Sequence, residues 1–113
     1  MIYAGYADED GADHRGWLLG HFMPPADPRH TTGVEIKWGV HPAGAQRAEW
    51  VTGDTRTTAV VLVSGRFRID LRDRAVVLDR PGAYLVFSGE DHSRTAEEDS
   101  VVLCVRWPSV PGY

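Results

Sequence analysis

The side chains that could take part in chemistry are few, and most of them are histidines. The 113-residue chain has five histidines and one cysteine. An imidazole titrates near neutral pH, so each histidine is a candidate acid, base or metal ligand. The spacing of His14, His21 and His30 fits no metal-binding motif. His41 and His92 are therefore the histidines of interest.

The other reactive groups point to structure rather than to catalysis. Cys104 lies in an apolar run, which predicts a small buried side chain, and a single cysteine excludes an internal disulfide. Ser64 precedes Gly65 without the Gly-x-Ser-x-Gly pattern of a nucleophile elbow. A cluster of arginines alternates with Asp70 and Asp73, which predicts a solvated face with cross-strand ion pairs and no phosphate site. These arginines are Arg66, Arg68, Arg72 and Arg74.

Composition narrows the class of protein. The chain is 42% hydrophobic and 25% charged, and its net charge is -4. Because no basic block is present to neutralise phosphates, we expect no nucleic-acid partner. No apolar run approaches the length of a membrane span, and the first residues lack a signal-peptide pattern, so we expect no membrane partner and a cytoplasmic location.

The segment from Thr57 to Asp70 carries the clearest fold signal. A continuous apolar run over residues 59–63 predicts a fully buried strand, and Ser64-Gly65 then breaks it. The following residues alternate, with Phe67 and Ile69 on one face of a half-buried strand. A strand, a glycine corner and a second strand are typical of a small β-barrel or sandwich.

The rest of the chain extends this pattern. Residues 34–40 alternate, which predicts a strand with Trp38 on the core face and with Glu35 and Lys37 on the other face. No segment has a helical period, and turns rich in Gly, Pro and Asp recur every eight to twelve residues. The sequence therefore predicts a single all-β domain. We assign residues 1–23 to an N-terminal arm with the first strand, and residues 24–113 to the barrel domain.

Two segments resemble motifs of a known superfamily. The first runs from His41-Pro42-Ala43-Gly44 to Val61-Leu62-Val63-Ser64-Gly65. The second contains the Pro81-Gly82 turn, an apolar strand, and His92 ten residues after the glycine. Both are similar to the motifs of the cupin superfamily, which implies a cupin-like jelly-roll β-barrel. The Glu97–Val102 and Val105–Ser109 segments look most like those of small single-domain bacterial cupins, although Arg94 stands where such proteins have Trp.

The resemblance also implies where a metal would bind. Cupin metal sites use a His-x-His pair, a glutamate and the histidine of the second motif. Here only His92 is present, because Trp50, Thr52 and Thr58 stand at the other positions. The resemblance therefore implies a degenerate metal motif, and we expect no metal and no cofactor. A rebuilt site from His41, Glu49 and His92 is the alternative, provided that these side chains converge.

A barrel without metal would hold a small-molecule ligand in its interior. In that pocket we expect His92 to be the acid or base, Trp50 a flat wall and Thr58 a hydroxyl donor. The alternatives are a core or dimer contact for Trp38, a solvated pair for Arg47 with Glu49, and a structural hydrogen bond to a loop for His92. The predicted ligand-binding side chains are Trp38, Arg47, Glu49, Trp50, Thr58 and His92.

These observations support three hypotheses about function. The first is a metal-independent small-molecule-binding cupin, as an isomerase, cyclase or lyase that uses His92. The second is a metal-dependent oxygenase or lyase with the rebuilt site. The third is a non-enzymatic ligand sensor or interaction module that docks on a partner through the acidic arm and the aromatic residues Trp107 and Tyr113. A homodimer is also expected, because open barrels leave strand edges that residues 1–23 could pair with in a second copy.

Overall fold

The computed structural model describes residues 1–47 and 49–111, and Tyr113 lies outside the described residues. It contains one short helix and eight strands. The helix α1 is Ala7–Asp13. The strands are β1 (Trp17–Leu19), β2 (Glu35–His41), β3 (Thr57–Ser64), β4 (Phe67–Leu71), β5 (Ala75–Leu78), β6 (Tyr84–Ser88), β7 (His92–Ala96) and β8 (Ser100–Trp107).

The strands form two antiparallel sheets. The larger sheet has the order β1-β2-β8-β3-β6, and the smaller one has the order β5-β4-β7. Strands that are distant in sequence lie side by side, as where β8 pairs with both β2 and β3. The prediction of an all-β, jelly-roll architecture is confirmed.

The corner between β3 and β4 depends on Gly65. Its φ angle is +93°, in the left-handed region that favours glycine. A Cβ at this position would also collide with the carbonyl oxygen of Asp99. Ser100 closes the same corner, because its hydroxyl accepts a hydrogen bond from the backbone N–H of Arg66 at 3.1 Å. The predicted glycine corner is therefore present, and both its conformation and its crowding require glycine.

The hydrophobic core lies between the two sheets. As predicted, Phe67 and Ile69 of β4 are buried, each 2% exposed. The prediction that β3 is buried on both faces is wrong, because Val63 is 40% exposed and Val61 is half-buried. The outer face of this sheet is open to solvent at Val63 and Val86. The core residues are Val60, Leu62, Phe67, Ile69, Leu78, Phe87, Ala96 and Val102.

The facing of β2 is the reverse of the prediction. Glu35 is 2% exposed, whereas Val40 is 65% exposed. Lys37 lines the barrel interior together with Gly39 and His41. Alternation of apolar and polar residues fixes the period of a strand but does not fix which of its faces is inside. Here the polar face is inside because Arg56 and Arg106 compensate the charge of Glu35.

Glu35 is at the centre of a buried ionic network. Its Oε1 accepts from Arg56 at 2.5 Å and from Arg106 at 2.7 Å. Its Oε2 accepts from the hydroxyl of Ser109 at 2.9 Å. Arg56 also donates to Asp54 at 2.8 Å. The network joins β2, β8, the segment before β3 and the chain after β8, so that every carboxylate in it has a cationic partner.

The arm contains a helix that the sequence did not predict. The helix α1 is only seven residues long, which is too short to show a helical period. Asp8, Glu9 and Asp10 lie in its first turn, where negative charge is favourable. No helix among the described residues is long and apolar enough to cross a membrane. The homodimer through residues 1–23 stays a prediction; Met1 and Ile2 of this arm are each 94% exposed.

We expect Glu35→Ala to destabilise the fold by about 3–5 kcal/mol, because it removes the carboxylate shared by the buried Arg56 and the half-buried Arg106. Urea unfolding measures the change in the free energy of unfolding. The matched control is Glu98→Ala at an exposed position, where a change within about 0.5 kcal/mol is expected. Equal effects of the two substitutions would contradict the central role of Glu35.

Candidate ligand-binding cavity

A cavity of about 90 Å³ lies inside the barrel, beside the hydrophobic core. Its walls combine apolar side chains of the core with polar side chains from both sheets. The lining residues are Trp17, Lys37, Gly39, His41, Arg47, Thr58, Val60, Phe67, Ile69, Phe87, His92, Ser93, Arg94, Cys104 and Arg106. The volume is small compared with the ~300–1,000 Å³ of pockets for drug-sized molecules, so the cavity suits a ligand of few heavy atoms.

The acidic and basic side chains that line the cavity are of one sign only. Lys37, Arg47, Arg94 and Arg106 line it, and no aspartate or glutamate does. Among residues 1–47 and 49–111, only Arg106 of these four has a carboxylate within ion-pair distance, which is that of Glu35. The chain as a whole has a net charge of -4. An acidic protein therefore places three cations without a carboxylate partner among the described residues, Lys37, Arg47 and Arg94, around this cavity.

Neighbouring strands hold these cations in place. Lys37 in β2 lies opposite Cys104 in β8. Arg94 belongs to β7 in the other sheet, across the cavity. The segment that carries Arg47 runs along β7, where the backbone N–H of Arg47 donates to the carbonyl oxygen of Arg94 at 3.1 Å. The positive groups therefore come from both sheets and from one connecting segment.

Burial and the neighbouring cations lower the pKa values of Lys37 and Arg94. Burial lowers the pKa of Lys37, and the nearby Arg94 lowers it further. Burial also lowers the pKa of Arg94, with a contribution from Arg47. Since each group loses hydration and faces like charges, the surroundings of Lys37 and Arg94 disfavour their positive charge. A bound anion would reverse that penalty.

His41 is a neutral hydrogen-bond acceptor in this environment. Its Nε2 lies 3.3 Å from Nη1 of Arg94. Because a guanidinium can only donate, Nε2 is the acceptor and is unprotonated. Burial and the charges of Arg94 and Lys37 lower the pKa of His41 to about 4. His41 thus orients Arg94 without adding a positive charge.

His92 has the same tautomer as His41. Its Nδ1 lies 3.1 Å from the carbonyl oxygen of Glu90, and a carbonyl only accepts, so Nδ1 carries the proton. The lone pair is then on Nε2. The ring packs on Phe87 with centroids 4.6 Å apart, and burial lowers the pKa of His92. Near neutral pH this histidine is therefore a neutral base at the cavity.

Arg106 offers a donor without an acceptor. Its Nε is a buried side-chain nitrogen with no hydrogen-bond partner among the described residues. The guanidinium also lies 4.5 Å from the ring centroid of Trp17. A buried donor that is left unpaired is unfavourable, by about 1–3 kcal/mol. An acceptor group on a ligand would satisfy it.

The structure brings four of the sequence-derived residues together. His41, Arg47, Thr58 and His92 all line the cavity. Thr58 stands where the resemblance implies a metal-binding glutamate, and it is 7% exposed.

The three other predicted ligand-binding residues lie outside the cavity. Trp38 is on the opposite face of β2, because the facing of that strand is reversed, and it lines a groove against α1. Glu49 is exposed. Trp50 is 37% exposed and lies under Arg72, whose Cζ is 4.3 Å from the ring centroid. The segment around Trp50 runs beside β7 and contains only single bridges, so motif spacing does not fix its inward face.

Among the lining residues that the sequence did not point to, five have a charged, thiol or indole side chain. Lys37 was assigned to the outer face with Glu35, and Cys104 to the apolar core. The expectation of limited reactivity for Cys104 fits the structure, since burial raises the pKa of its thiol. The lone lysine and the glycine two residues later, inside a strand, were the available signals of an unusual inner face. The five residues are Trp17, Lys37, Arg94, Cys104 and Arg106.

The side chains do not fit the metal that the cupin fold implies. Across residues 1–47 and 49–111, no three His, Cys, Asp or Glu side chains are grouped so as to hold a metal ion. His41 and His92 reach the cavity but Glu49 does not. Lys37 and Arg94 lie beside His41, and their charges oppose a cation. The rebuilt site is therefore not formed.

Comparison with solved structures identifies the fold. Ectoine synthase from P. lautus has a TM-score of 0.70 and 17% identity, over 96% of this chain and 80% of that one. KdgF from Halomonas sp. has a TM-score of 0.64 and 23% identity, over 73% and 74%. A cupin-2 domain containing protein from Shewanella frigidimarina NCIMB 400 has a TM-score of 0.57 and 18% identity, over 74% and 82%.

The chain has the jelly-roll fold of the cupin superfamily, as its sequence motifs implied. No protein-family model matches the sequence, and a search of curated proteins found no significant match. At these identities the likeness is one of fold alone. The function has to be argued from the cavity itself.

We expect His41 to make the fold less stable in acid. The folded-state pKa of about 4 lies below the ordinary value of 6.5. The unfolded chain therefore binds more protons in this range, and stability falls as pH drops from 6.5 towards 4. Thermal unfolding across this range measures the slope for the parent chain and for His41→Gln, which should be less steep. His14→Gln, at an exposed position, should keep the parent slope; a parent slope in His41→Gln would contradict the assignment.

Proposed function

We propose that this chain binds a small carboxylate inside its barrel and acts on it as a metal-independent isomerase, cyclase or lyase, with His92 as the general base. The observation that carries the proposal is the set of four cations around a cavity without a carboxylate in its wall. A carboxylate is the small anion that planar guanidinium groups bind in a fixed orientation.

Three features of the cavity support this ligand class. The buried Nε of Arg106 requires an acceptor. Burial and neighbouring cations lower the pKa values of Lys37 and Arg94, and a negatively charged ligand would relieve both effects. Thr58 adds a hydroxyl, and the rings of Phe67 and Phe87 form an apolar wall for the carbon part of the ligand. The cavity can therefore hold a molecule with one charged end and a short apolar body.

His92 supplies the chemistry in this proposal. The carbonyl oxygen of Glu90 fixes its Nδ1–H, which leaves Nε2 free to accept a proton from carbon. Removal of a proton next to a carbonyl or carboxylate is the common first step of isomerisation and of elimination. The cations around the cavity stabilise the negative charge that develops on the ligand. One of the similar structures is a synthase, so the fold accommodates enzymes.

We expect Arg94→Gln to weaken the binding of pyruvate about 10- to 100-fold, because it removes a charged hydrogen-bond donor. Calorimetric titration measures the affinity, and the exposed Arg74→Gln is the matched control. Pyruvamide has nearly the shape of pyruvate without its charge, and it should bind more weakly than pyruvate. Equal affinity for the two molecules would overturn the proposed ligand class.

We expect His92→Gln to abolish proton exchange at carbon while the ligand still binds. Pyruvate in D₂O exchanges its methyl protons by the same proton removal, and NMR measures the rate. Loss of a general base should slow the catalysed exchange by roughly 10²- to 10⁴-fold. His14→Gln is the control for the loss of an imidazole. Binding without any catalysed exchange in the parent chain would favour the ligand sensor over the enzyme.

A further inference from the structure

Lys37 is the only lysine of the chain, and it lies in the cavity wall. An exposed lysine on a strand needs no explanation, but a single lysine that faces a barrel interior does. No carboxylate among the described residues lies within ion-pair distance of its amine. The structure therefore holds a half-buried cation without a carboxylate partner among the described residues, although an arginine would have supplied a charge that cannot be removed.

We propose that Lys37 forms an imine with the ligand, and that the ligand is a 2-oxo carboxylate. The carboxylate binds to the guanidinium groups that share the cavity with Lys37. The carbonyl carbon has to be bonded directly to the carboxylate, because a cavity of about 90 Å³ leaves room for only a few atoms between the carboxylate and the amine of Lys37. This inference rests on the carboxylate-binding function proposed above and specifies its substrate class.

The surroundings of Lys37 fix its position. Gly16 runs against the side-chain stem, since a Cβ built on that glycine would lie 3.2 Å from Cε of Lys37. The amine lies 5.5 Å from the ring centroid of Trp17. Gly16 and Trp17 of the arm thus restrict the aliphatic part of the Lys37 side chain. The amine faces the ring of Trp17 and the cavity. A pre-positioned amine is what addition to a carbonyl requires.

The electrostatics favour the reactive form of the amine. Burial and the charge of Arg94 lower the pKa of Lys37. Desolvation and an adjacent cation are the two conditions that make a lysine a nucleophile. Cys104 lies opposite Lys37 but is held as a thiol, because burial raises its pKa. The amine is therefore the nucleophile of the cavity.

The step balances without a co-reactant. The lone pair of the neutral Nζ forms a bond to the carbonyl carbon, and the C–O π-bond opens to give a carbinolamine. The C–O bond then breaks, and the oxygen leaves as water with both protons of the amine. A C=N bond remains, and it takes up one solvent proton to become the iminium form. The positive nitrogen then withdraws electrons from the adjacent carbon, from which His92 removes a proton.

Reductive trapping tests this proposal. The chain is incubated with pyruvate and sodium borohydride, which adds a hydride to the imine carbon and leaves a stable secondary amine. Each adduct adds the mass of pyruvic acid less one oxygen atom, and peptide mapping locates it. Lys37 is the only lysine among these 113 residues, and when the chain is produced with Met1 as its first residue, the exposed α-amine of Met1 serves as an internal standard.

At low pyruvate concentration we expect the Lys37 adduct to exceed the Met1 adduct at least roughly tenfold, because the bound carboxylate holds the carbonyl beside the amine. Lys37→Arg keeps a positive charge and should give no adduct apart from that at Met1. Arg94→Gln should lower the Lys37 adduct by the same factor as its loss of affinity. Methyl pyruvate, which lacks the charge, should lose the preference for Lys37.

The outcomes separate this inference from the function on which it rests. If pyruvate binds more tightly than pyruvamide but Lys37 is not trapped, the carboxylate site stands and the imine is overturned. If the adduct at Lys37 does not exceed that at Met1, the imine is also overturned. If no carboxylate binds, both proposals fall. A Lys37 adduct that depends on Arg94 supports both.

Discussion

The buried carboxylate of Glu35 is the interaction on which the rest of the structure depends. Its two oxygens accept from Arg56, Arg106 and Ser109, which come from three separate parts of the chain. Burying this charge is favourable only with all of its partners, so the network fixes the inward face of β2. Once Glu35 faces inward, the strand places Lys37 and His41 in the cavity as well. The stability of the barrel and the composition of its site thus have one origin.

The charge of this cavity is opposite to that of the metal site that cupin motifs imply. The cupin motifs imply a cluster of ligands for a cation, whereas this barrel carries cations itself and holds Thr58 where a glutamate would stand. The sign of the interior charge is therefore reversed relative to a metal site. His92 is present in both arrangements, but here its neighbours keep it neutral and basic rather than metal-bound. The same scaffold then suits anionic molecules without a metal to bind them.

Local signals in the sequence predicted those features that depend on local physics. The corner at Gly65, the buried face of β4 and the cavity position of His92 follow from backbone conformation, strand period and motif spacing. The inner face of β2 does not, because its polar residues become stable only through Arg56 and Arg106, which are far away in sequence. Trp50 was misplaced for a related reason, since the segment around it runs beside β7 without forming a strand, so that counting residues does not give its direction.

Trp17 gives the arm a thermodynamic role. Its ring forms part of the cavity wall and contacts the cations of Lys37 and Arg106, although it belongs to β1, the short edge strand of the larger sheet. Any opening of this edge removes one wall of the cavity and hydrates both cations. Ligand binding and the packing of β1 on the sheet are therefore thermodynamically linked. A bound anion stabilises the packed strand by the same free energy by which the packed strand stabilises the bound anion.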